Sequence, residues 1–265
     1  SRDTIIAKAR CRGFGFDVEH IAVPTDEAYI ADSMVECIRY SRAVLKTVIE
    51  VFVGCRHALR HIMEQGHDAV ITAMFADECW GLSRKLAVEY GGKGDAGWTE
   101  LRIMHAMQSE IGFPIESRPQ LRDYVQSVLG MKWLDVFFDL DVIRVMLFGT
   151  WAQLNKPGMK SLAERAFPSL AMFAHLKSGW HHASGCKQAL GVMGFVRGHS
   201  SPIAWYNAEA GKLGIKPHGD EAGKRYWLDR APREWLKGMC RIGKDLEAAG
   251  KVGSWWYDRS LPDAM

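Results

Sequence analysis

KWLDVFFDLDVIRVMLFGTWAQL, at residues 132–154, is the mainly apolar stretch around which we expect the chain to fold. Its length predicts a buried helix rather than a strand, because strands are usually shorter. Asp135, Asp139, Asp141 and Arg144 lie within it, and each would cost roughly 2.5–3.5 kcal/mol at the centre of a bilayer. We therefore predict an all-α protein built around this central helix and not a membrane span. Asp141 and Arg144 have the spacing of an i,i+3 ion pair.

The rest of the chain shows mainly helical patterning with few irregular segments. Residues 1–24 are predicted to be irregular, because Gly13, Gly15 and Pro24 interrupt them. The glycines of the segment 179–202, Gly191, Gly194 and Gly198, are predicted to permit close helix packing or a hinge. Further helices are expected from Asp26 to Gln65 with one break, over 68–90, from Pro119 to Leu129, over 160–167 and 169–177, and from Pro232 to Gly250.

Composition and cysteine usage narrow the class of protein. The 265 residues fit one large or two small domains, and 48% hydrophobic with 25% charged residues is ordinary for a globular chain. The six cysteines are scattered without a CxxC pair, which argues against a disulfide framework or a zinc ribbon. The sequence has no signal-peptide pattern. We therefore expect an intracellular, cytoplasmic protein without a cofactor.

Charge is distributed unevenly along the chain. Residues 1–150 carry 17 Lys and Arg against 21 Asp and Glu, giving −4, whereas residues 151–265 carry 17 against 10, giving +7. Seven of the ten tryptophans also lie in the second part. This division predicts an acidic helical subdomain at 1–155 and a basic, Trp-rich one at 156–265, with one continuous domain as the alternative. A basic, aromatic-rich half favours an anionic partner, although surface charge also varies without function.

Two groups of side chains have residue types that suit a metal ion, since imidazole and thiolate are zinc ligands. The first group lies opposite the apolar stripe of its helix, whereas metal sites in helical bundles project inward, so a solvated polar face is favoured. The spacing of the second matches no standard site. The two groups are His57, His61 and Glu64, and His181, His182 and Cys186.

The segment HALRH at residues 57–61 resembles the His-x-x-Arg box of tyrosine recombinases, and Trp80 and Tyr90 follow at roughly that family's intervals. The resemblance implies that His57 and Arg60 would stabilise the transition state while Tyr90 attacked a phosphate. It covers residues 57–90 only. The family also needs an earlier arginine and a lysine-bearing hairpin, and only 56 residues precede His57. The chain is therefore not assigned to this family.

The predicted helix from Pro232 to Gly250 carries the pattern most informative about function. Trp235, Met239, Ile242, Leu246 and Ala249 form its apolar stripe. The opposite side is basic over an arc of about 80° at 3.6 residues per turn. Cations in such a stripe can follow phosphates, and exposed aromatic residues can stack on unpaired bases. The candidate nucleic-acid-binding residues are Arg233, Lys237, Arg241 and Lys244 on this helix, and Lys224, Arg225, Trp227 and Arg230 just upstream.

These observations favour a non-enzymatic helical protein that binds RNA or single-stranded DNA and is nucleocapsid-like or assembly-forming. No set of nucleophile, base and orienting group stands out in the sequence, so no catalytic residue is predicted. One alternative is a helical metalloenzyme that uses either group of metal ligands. Another is a structural protein that self-assembles, because the aromatic tail GSWWYDRSLPDAM, at residues 253–265, is expected to dock on the body or on a neighbouring subunit.

Overall fold

The computed structural model describes residues 2–42, 46–72, 118–149, 161, 164–168, 184–218 and 233–252. These residues are mostly helical and include one small sheet. The fold is therefore mainly helical, as predicted, but not purely so. No helix in these ranges is both long and apolar enough to cross a membrane. The elements are α1 (Arg2–Gly13), α2 (Glu27–Ser41), α3 (Lys46–Glu64), β1 (Ala69–Thr72), α4 (Arg118–Ser127), β2 (Lys132–Asp135), a 3-10 helix (Val136–Phe138), α5 (Leu140–Phe148), α6 (Ser184–Val196), α7 (Pro202–Lys212) and α8 (Arg233–Ala248).

The prediction of one central helix over residues 132–154 is wrong. Residues 132–135 form a strand that pairs in parallel with β1, with Trp133 opposite Val70, and the Trp133 side chain is buried. The 3-10 helix follows, and then α5 ends at Phe148. A mainly apolar run has the same appearance in a buried strand and in a buried helix. Its periodicity therefore does not distinguish the two. Residues 150–154 lie outside the described residues.

Two aspartates mark the changes of backbone direction within this stretch. The Asp135 carboxylate accepts a hydrogen bond of 3.3 Å from the amide of Phe137 and so caps the 3-10 helix. The Asp139 carboxylate accepts from the amides of Asp141 and Val142 at 2.9 and 3.3 Å, and caps α5. A short acidic side chain that bonds nearby amides competes with a continuous helix. The two carboxylates therefore begin separate elements instead of lying along one.

Two further sequence predictions differ from the structure. Residues 69–72, expected within a helix over 68–90, form β1, and the rest of that predicted helix lies outside the described residues. Residues 2–13, expected to be irregular, form α1. This helix has an exposed Ile5 and no apolar stripe, so the periodic signal on which the sequence prediction depends is missing.

The predictions for α2, α3 and α4 are confirmed. α2 begins at Glu27, where the Asp26 carboxylate accepts a hydrogen bond of 3.0 Å from the amide of Tyr29. It ends at Ser41, before Arg42 in the left-handed region with φ 46°, and α3 then runs to Glu64. This is the predicted break in the long helical segment. α4 occupies the predicted Pro119–Leu129 helix within two residues at its end.

Two hydrophobic clusters form the core of the described part of the chain. The larger joins α2, α3, α4, α6 and α7, and the smaller joins the 3-10 helix, α5 and α8. The predicted domain boundary at 155 lies outside the described residues, but each cluster combines side chains from before and after it. The division into two subdomains, and the alternative of one continuous domain, stay predictions. Large buried side chains of the first cluster are Phe52, Tyr124, Trp205 and Tyr206, and those of the second include Phe138, Met146, Met239 and Leu246.

The close glycine contact is not where the sequence indicated it. A Cβ atom on Gly191 would meet nothing within 4 Å, and one on Gly194 would make only ordinary contacts of 3.8 Å with Ser201. Gly198 adopts φ +78°, so its role is a left-handed turn after α6. A Cβ atom on Gly238, by contrast, would lie 2.9 Å from Cδ2 and 3.2 Å from Cγ of Leu140. Gly238 therefore permits the close approach of α8 and α5.

Candidate nucleic-acid interface

α8 is fixed on the protein by its apolar side. Leu236, Met239, Ile242 and Leu246 are buried in the second cluster. The Trp235 ring stacks on Phe138 with ring centroids 5.4 Å apart, and its indole N–H donates a hydrogen bond of 3.2 Å to the Phe138 carbonyl. Trp235 therefore serves the core, and Phe138 covers one face of its indole ring. Ala249, placed in the same stripe by sequence, is exposed just beyond the helix end.

The opposite side of α8 carries four exposed cations, Arg233, Lys237, Arg241 and Lys244. At 100° per residue they occupy an arc of about 80°, centred opposite the buried side, and extend about 16 Å along the helix axis. The same winding that buries the apolar side chains thus collects these charges on the solvent side. Their location agrees with the sequence pattern, and their binding of nucleic acid stays a prediction.

Neighbouring carboxylates affect these four cations unequally. The ammonium of Lys237 lies 3.0 Å from a carboxylate oxygen of Glu234 in an exposed i,i+3 pair. Arg233, Arg241 and Lys244 form no ion pair with any residue in the described ranges. An exposed pair contributes only about 0–1 kcal/mol, so Lys237 can exchange Glu234 for another anion. The remaining three charges face solvent without a competing partner on the described surface.

Asp245, an acidic residue at the border of the stripe, is paired across the helix interface with Arg144 of α5. The sequence prediction that Arg144 pairs with Asp141 is therefore wrong. Asp141 lies in the first turn of α5, where the positive end of the helix dipole favours an acidic side chain without any basic partner. Packing of α5 against α8 brings together two charges that are 101 residues apart in the chain.

Cys240 reports on the electrostatic environment at the edge of this face. Burial raises the pKa of its thiol, and the positive charge of Lys244 partly offsets that rise. The thiol is therefore protonated at neutral pH and is a poor nucleophile. It gives the face no covalent chemistry.

The upstream candidates Lys224, Arg225, Trp227 and Arg230 lie outside the described residues, as does the aromatic tail 253–265. The second candidate metal group is also outside them, since His181 and His182 are not described and nothing is described of the Cys186 side chain. The structure therefore leaves these predictions untested.

The first candidate metal group is not assembled. His61 Nε2 lies 2.9 Å from a carboxylate oxygen of Glu19, and the His57 ring packs edge-to-face on Tyr29 with centroids 6.0 Å apart. Glu64 is exposed. In the described part of the chain, no three His, Cys, Asp or Glu side chains are placed to hold a metal ion. His57 and His61 contact different neighbours, so they are not placed to bind one metal ion together.

An ion-pair network on α2, α3 and α4 was missed by the sequence analysis. The Glu36 carboxylate accepts from Arg56, and from Arg60 at 2.7 Å. Arg60 also donates a hydrogen bond of 2.8 Å to the hydroxyl of Tyr124. Burial lowers the pKa of Arg60, but its bonds to Glu36 and Tyr124 more than compensate, so the net pKa is raised. Arg60, the arginine of the recombinase-like box, thus has a structural partner on each side.

The sequence signal for this network is a carboxylate within an apolar helical segment, Met34-Val-Glu-Cys-Ile38. A charged side chain there requires a partner.

A cleft of about 280 Å³ opens beside Glu36. It is lined by two carboxylates and two guanidinium groups, so its lining favours neither an anionic nor a cationic ligand. The lining residues are Asp32, Val35, Glu36, Arg39, Tyr40 and Arg56.

Comparison with known proteins adds no relative, because no family model, curated protein or solved structure matches the chain.

Proposed function

We propose that this chain is a non-enzymatic, helical nucleic-acid-binding protein, nucleocapsid-like or assembly-forming, that contacts the phosphates of RNA or single-stranded DNA through α8. The observation that carries the proposal is the exposed position of Arg233, Lys237, Arg241 and Lys244 on one arc of a helix whose opposite side is buried. A fixed row of cations matches a polyanion better than it matches a small ligand.

The magnitude of the interaction follows from counterion release. Four cations that neutralise four phosphates of a single strand give a slope of log K against log salt of about −3. Such binding is weak at high salt and stronger at low salt. Lysine contributes as a point charge, whereas arginine can bind a phosphate in a bidentate manner. Arg233 and Arg241 are therefore expected to orient a bound phosphate more strictly than the two lysines do.

The exposed side of α8 also indicates how selective this contact is. Across the fully described helix, the exposed residues are Arg233, Glu234, Lys237, Arg241, Lys244 and Ala248. None of them is an aromatic or amide side chain that could stack on a base or read its edge. α8 alone therefore supports binding that depends on phosphates and not on base sequence.

The test is a charge reversal of the four residues to Glu, with fluorescence anisotropy of a labelled single strand measured over a series of salt concentrations. The wild type should give a slope of about −3, and the variant should lose binding while keeping its helical circular dichroism and thermal midpoint. The matched control reverses four other exposed cations, Arg12, Arg39, Lys132 and Lys216, and so changes the net charge by the same amount.

The two variants separate a localised site from a general charge effect. The control is expected to retain most of the wild-type affinity, because its four positions lie in four different segments and not along one helix. Equal loss in both variants would contradict a site on α8, and unchanged binding in the α8 variant would remove these residues from the interface.

One observation favours self-assembly as a second candidate function. Val192, Phe195 and Val196 of α6 are 61%, 81% and 68% exposed, and their i, i+3 and i+4 spacing places them on one face. An exposed apolar face of this kind often marks a protein–protein contact. Light scattering of the Phe195→Asp variant tests it: loss of an oligomer formed by the wild type supports this candidate, and a monomeric wild type eliminates it. The metalloenzyme alternative has no such observation in its favour.

A further inference from the structure

The basic face of α8 contains a potential internal competitor. Asp245 follows Arg241 at i+4, a spacing at which opposite charges on a helix attract each other. It also lies at the edge of the arc occupied by the four cations. A carboxylate paired with Arg241 would neutralise the arginine and repel an approaching phosphate.

The structure directs this carboxylate elsewhere. Asp245 accepts a hydrogen bond from the guanidinium of Arg144 on α5. The Arg144 guanidinium also lies 5.4 Å from the ring centroid of Phe148, one turn further along the same helix. The paired side chains are 48% and 46% exposed, so solvent reaches the pair. Ring contact and ion pair together hold Arg144 at the border between α5 and α8.

Lys237 and Glu234 show the contrasting arrangement on the same helix. Glu234 has no partner on α5, whose residues 140–148 are all described, and its carboxylate pairs with Lys237 at 3.0 Å instead. Where a second helix supplies an arginine, the acidic side chain turns away from the stripe. Where it does not, the acid pairs with a stripe cation.

We infer that Arg144 is a positioning residue for the basic face: it engages Asp245 and so leaves Arg241 available to a phosphate. The inference rests on the proposed function of α8 and adds a residue of another helix to that site. Arg144 is distinct from the four cations because its effect passes through Asp245. Direct contact between Arg144 and a phosphate is the competing explanation.

The experiment is a double-mutant cycle with Arg144→Gln, Asp245→Asn and the combined variant, read by anisotropy of a fluorescein-labelled oligo(dT) over a series of salt concentrations. Arg144→Gln releases the carboxylate and is expected to weaken binding about two- to fivefold, the range of an exposed ion pair, and to make the salt slope shallower. Asp245→Asn should bind at least as tightly as the wild type. The combined variant should return to the affinity of Asp245→Asn, because no carboxylate remains to compete.

Three outcomes overturn the inference. A combined variant as weak as Arg144→Gln, with an unchanged thermal midpoint, would show that Arg144 contacts the nucleic acid itself. An Arg144→Gln variant with wild-type affinity would show that Asp245 does not compete. A wild type that fails to bind removes both this inference and the proposed function. The inference alone fails when the wild type binds and the four-residue α8 reversal does not, but the double-mutant cycle gives one of the first two outcomes. A merely structural role of the pair predicts a lowered thermal midpoint without the rescue by Asp245→Asn.

Discussion

Arg60 of α3 donates a hydrogen bond of 2.8 Å from its Nε to the hydroxyl of Tyr124 on α4. The two residues are 64 positions apart in the chain, so the bond fixes the position of α4 against α3. Glu36 of α2 accepts from the same guanidinium group through a different nitrogen. One arginine thus links three helices of the larger cluster, and its charge is balanced by a carboxylate that is only 15% exposed.

Removing the charge of Glu36 is expected to destabilise the protein substantially. Glu36→Gln leaves Arg56 and Arg60 without their shared counter-charge, and breaking a largely buried pair from one side typically costs about 3–5 kcal/mol. Because solvent screens Arg60, which is 38% exposed, a loss of about 2–3 kcal/mol in the free energy of unfolding is expected. Urea unfolding followed by circular dichroism measures it.

The matched control for this change is Glu64→Gln, the same substitution on an exposed position of α3. It should alter the free energy of unfolding by less than about 0.5 kcal/mol, as surface substitutions usually do. Similar values for the two variants would show that the network contributes nothing beyond a surface pair.

Gly238→Ala is expected to destabilise the protein, because the Leu140 side chain must shift to make room for a methyl group. Gly238→Ala places a Cβ atom 2.9 Å from Cδ2 and 3.2 Å from Cγ of Leu140, so α8 must move or Leu140 must leave its position. Overpacking of this kind costs about 1–3 kcal/mol, which should appear as a lower midpoint in thermal unfolding.

Gly191→Ala supplies the comparison, because it makes the same change inside a helix where nothing lies within 4 Å of the new atom. Helix propensity alone then favours alanine by up to about 1 kcal/mol. The two substitutions should therefore shift the thermal midpoint in opposite directions. A stabilised Gly238→Ala variant would contradict the close packing of α5 and α8.

Alkaline pH is expected to destabilise the larger cluster through Cys37. Burial raises the pKa of this thiol from 9.0 to about 12, although its hydrogen bond with Ser41 acts in the opposite direction. The folded pKa lies above the unfolded value, so the stabilising contribution is complete below pH 9.0 and is lost as the pH rises towards 12. The free energy of unfolding should fall by up to about 1.4 kcal/mol per pH unit in this window.

Denaturant titrations of the wild type, Cys37→Ala and Cys11→Ala at several pH values above 9.0 measure this contribution. Cys37→Ala should show a shallower alkaline loss than the wild type, whereas Cys11→Ala, located in α1 outside both clusters, should follow the wild type. Parallel curves for all three proteins would show that the pKa of the Cys37 thiol does not differ between the folded and unfolded states.

Local signals in the sequence were sufficient for the helices that have clear ends. The Asp26 cap marks the start of α2, Pro119 lies in the first turn of α4, and the alternation of apolar and basic residues defines α8. Each of these depends on residues within a turn or two of one another. The same local spacing placed the four cations of α8 on the exposed side.

Non-local pairing explains what the sequence did not reveal. β1 and β2 meet in parallel with Ala69 opposite Lys132, and nothing within either segment specifies a partner 63 positions away. The same holds for Asp245, whose partner Arg144 comes from another helix, although Asp141 had the better local spacing. Helical spacing predicted that Arg144 pairs with Asp141, whereas the packing of α5 against α8 pairs it with Asp245.

The two unlike environments on α8 lead to a final prediction about its cations. Arg241 has no ion pair in the described part of the chain, whereas Lys237 is paired with Glu234 at 3.0 Å. A phosphate that binds Lys237 must displace this carboxylate. The cost of breaking the ion pair therefore reduces the net free energy of phosphate binding at Lys237. Arg241→Gln is therefore expected to weaken oligonucleotide binding more than Lys237→Gln and to reduce the salt slope by about 0.7. Adding Glu234→Gln should tighten binding in the wild-type background and have a smaller effect beside Lys237→Gln. Equal losses for the two single variants, with no such dependence on Glu234, would contradict the unequal roles assigned to these cations.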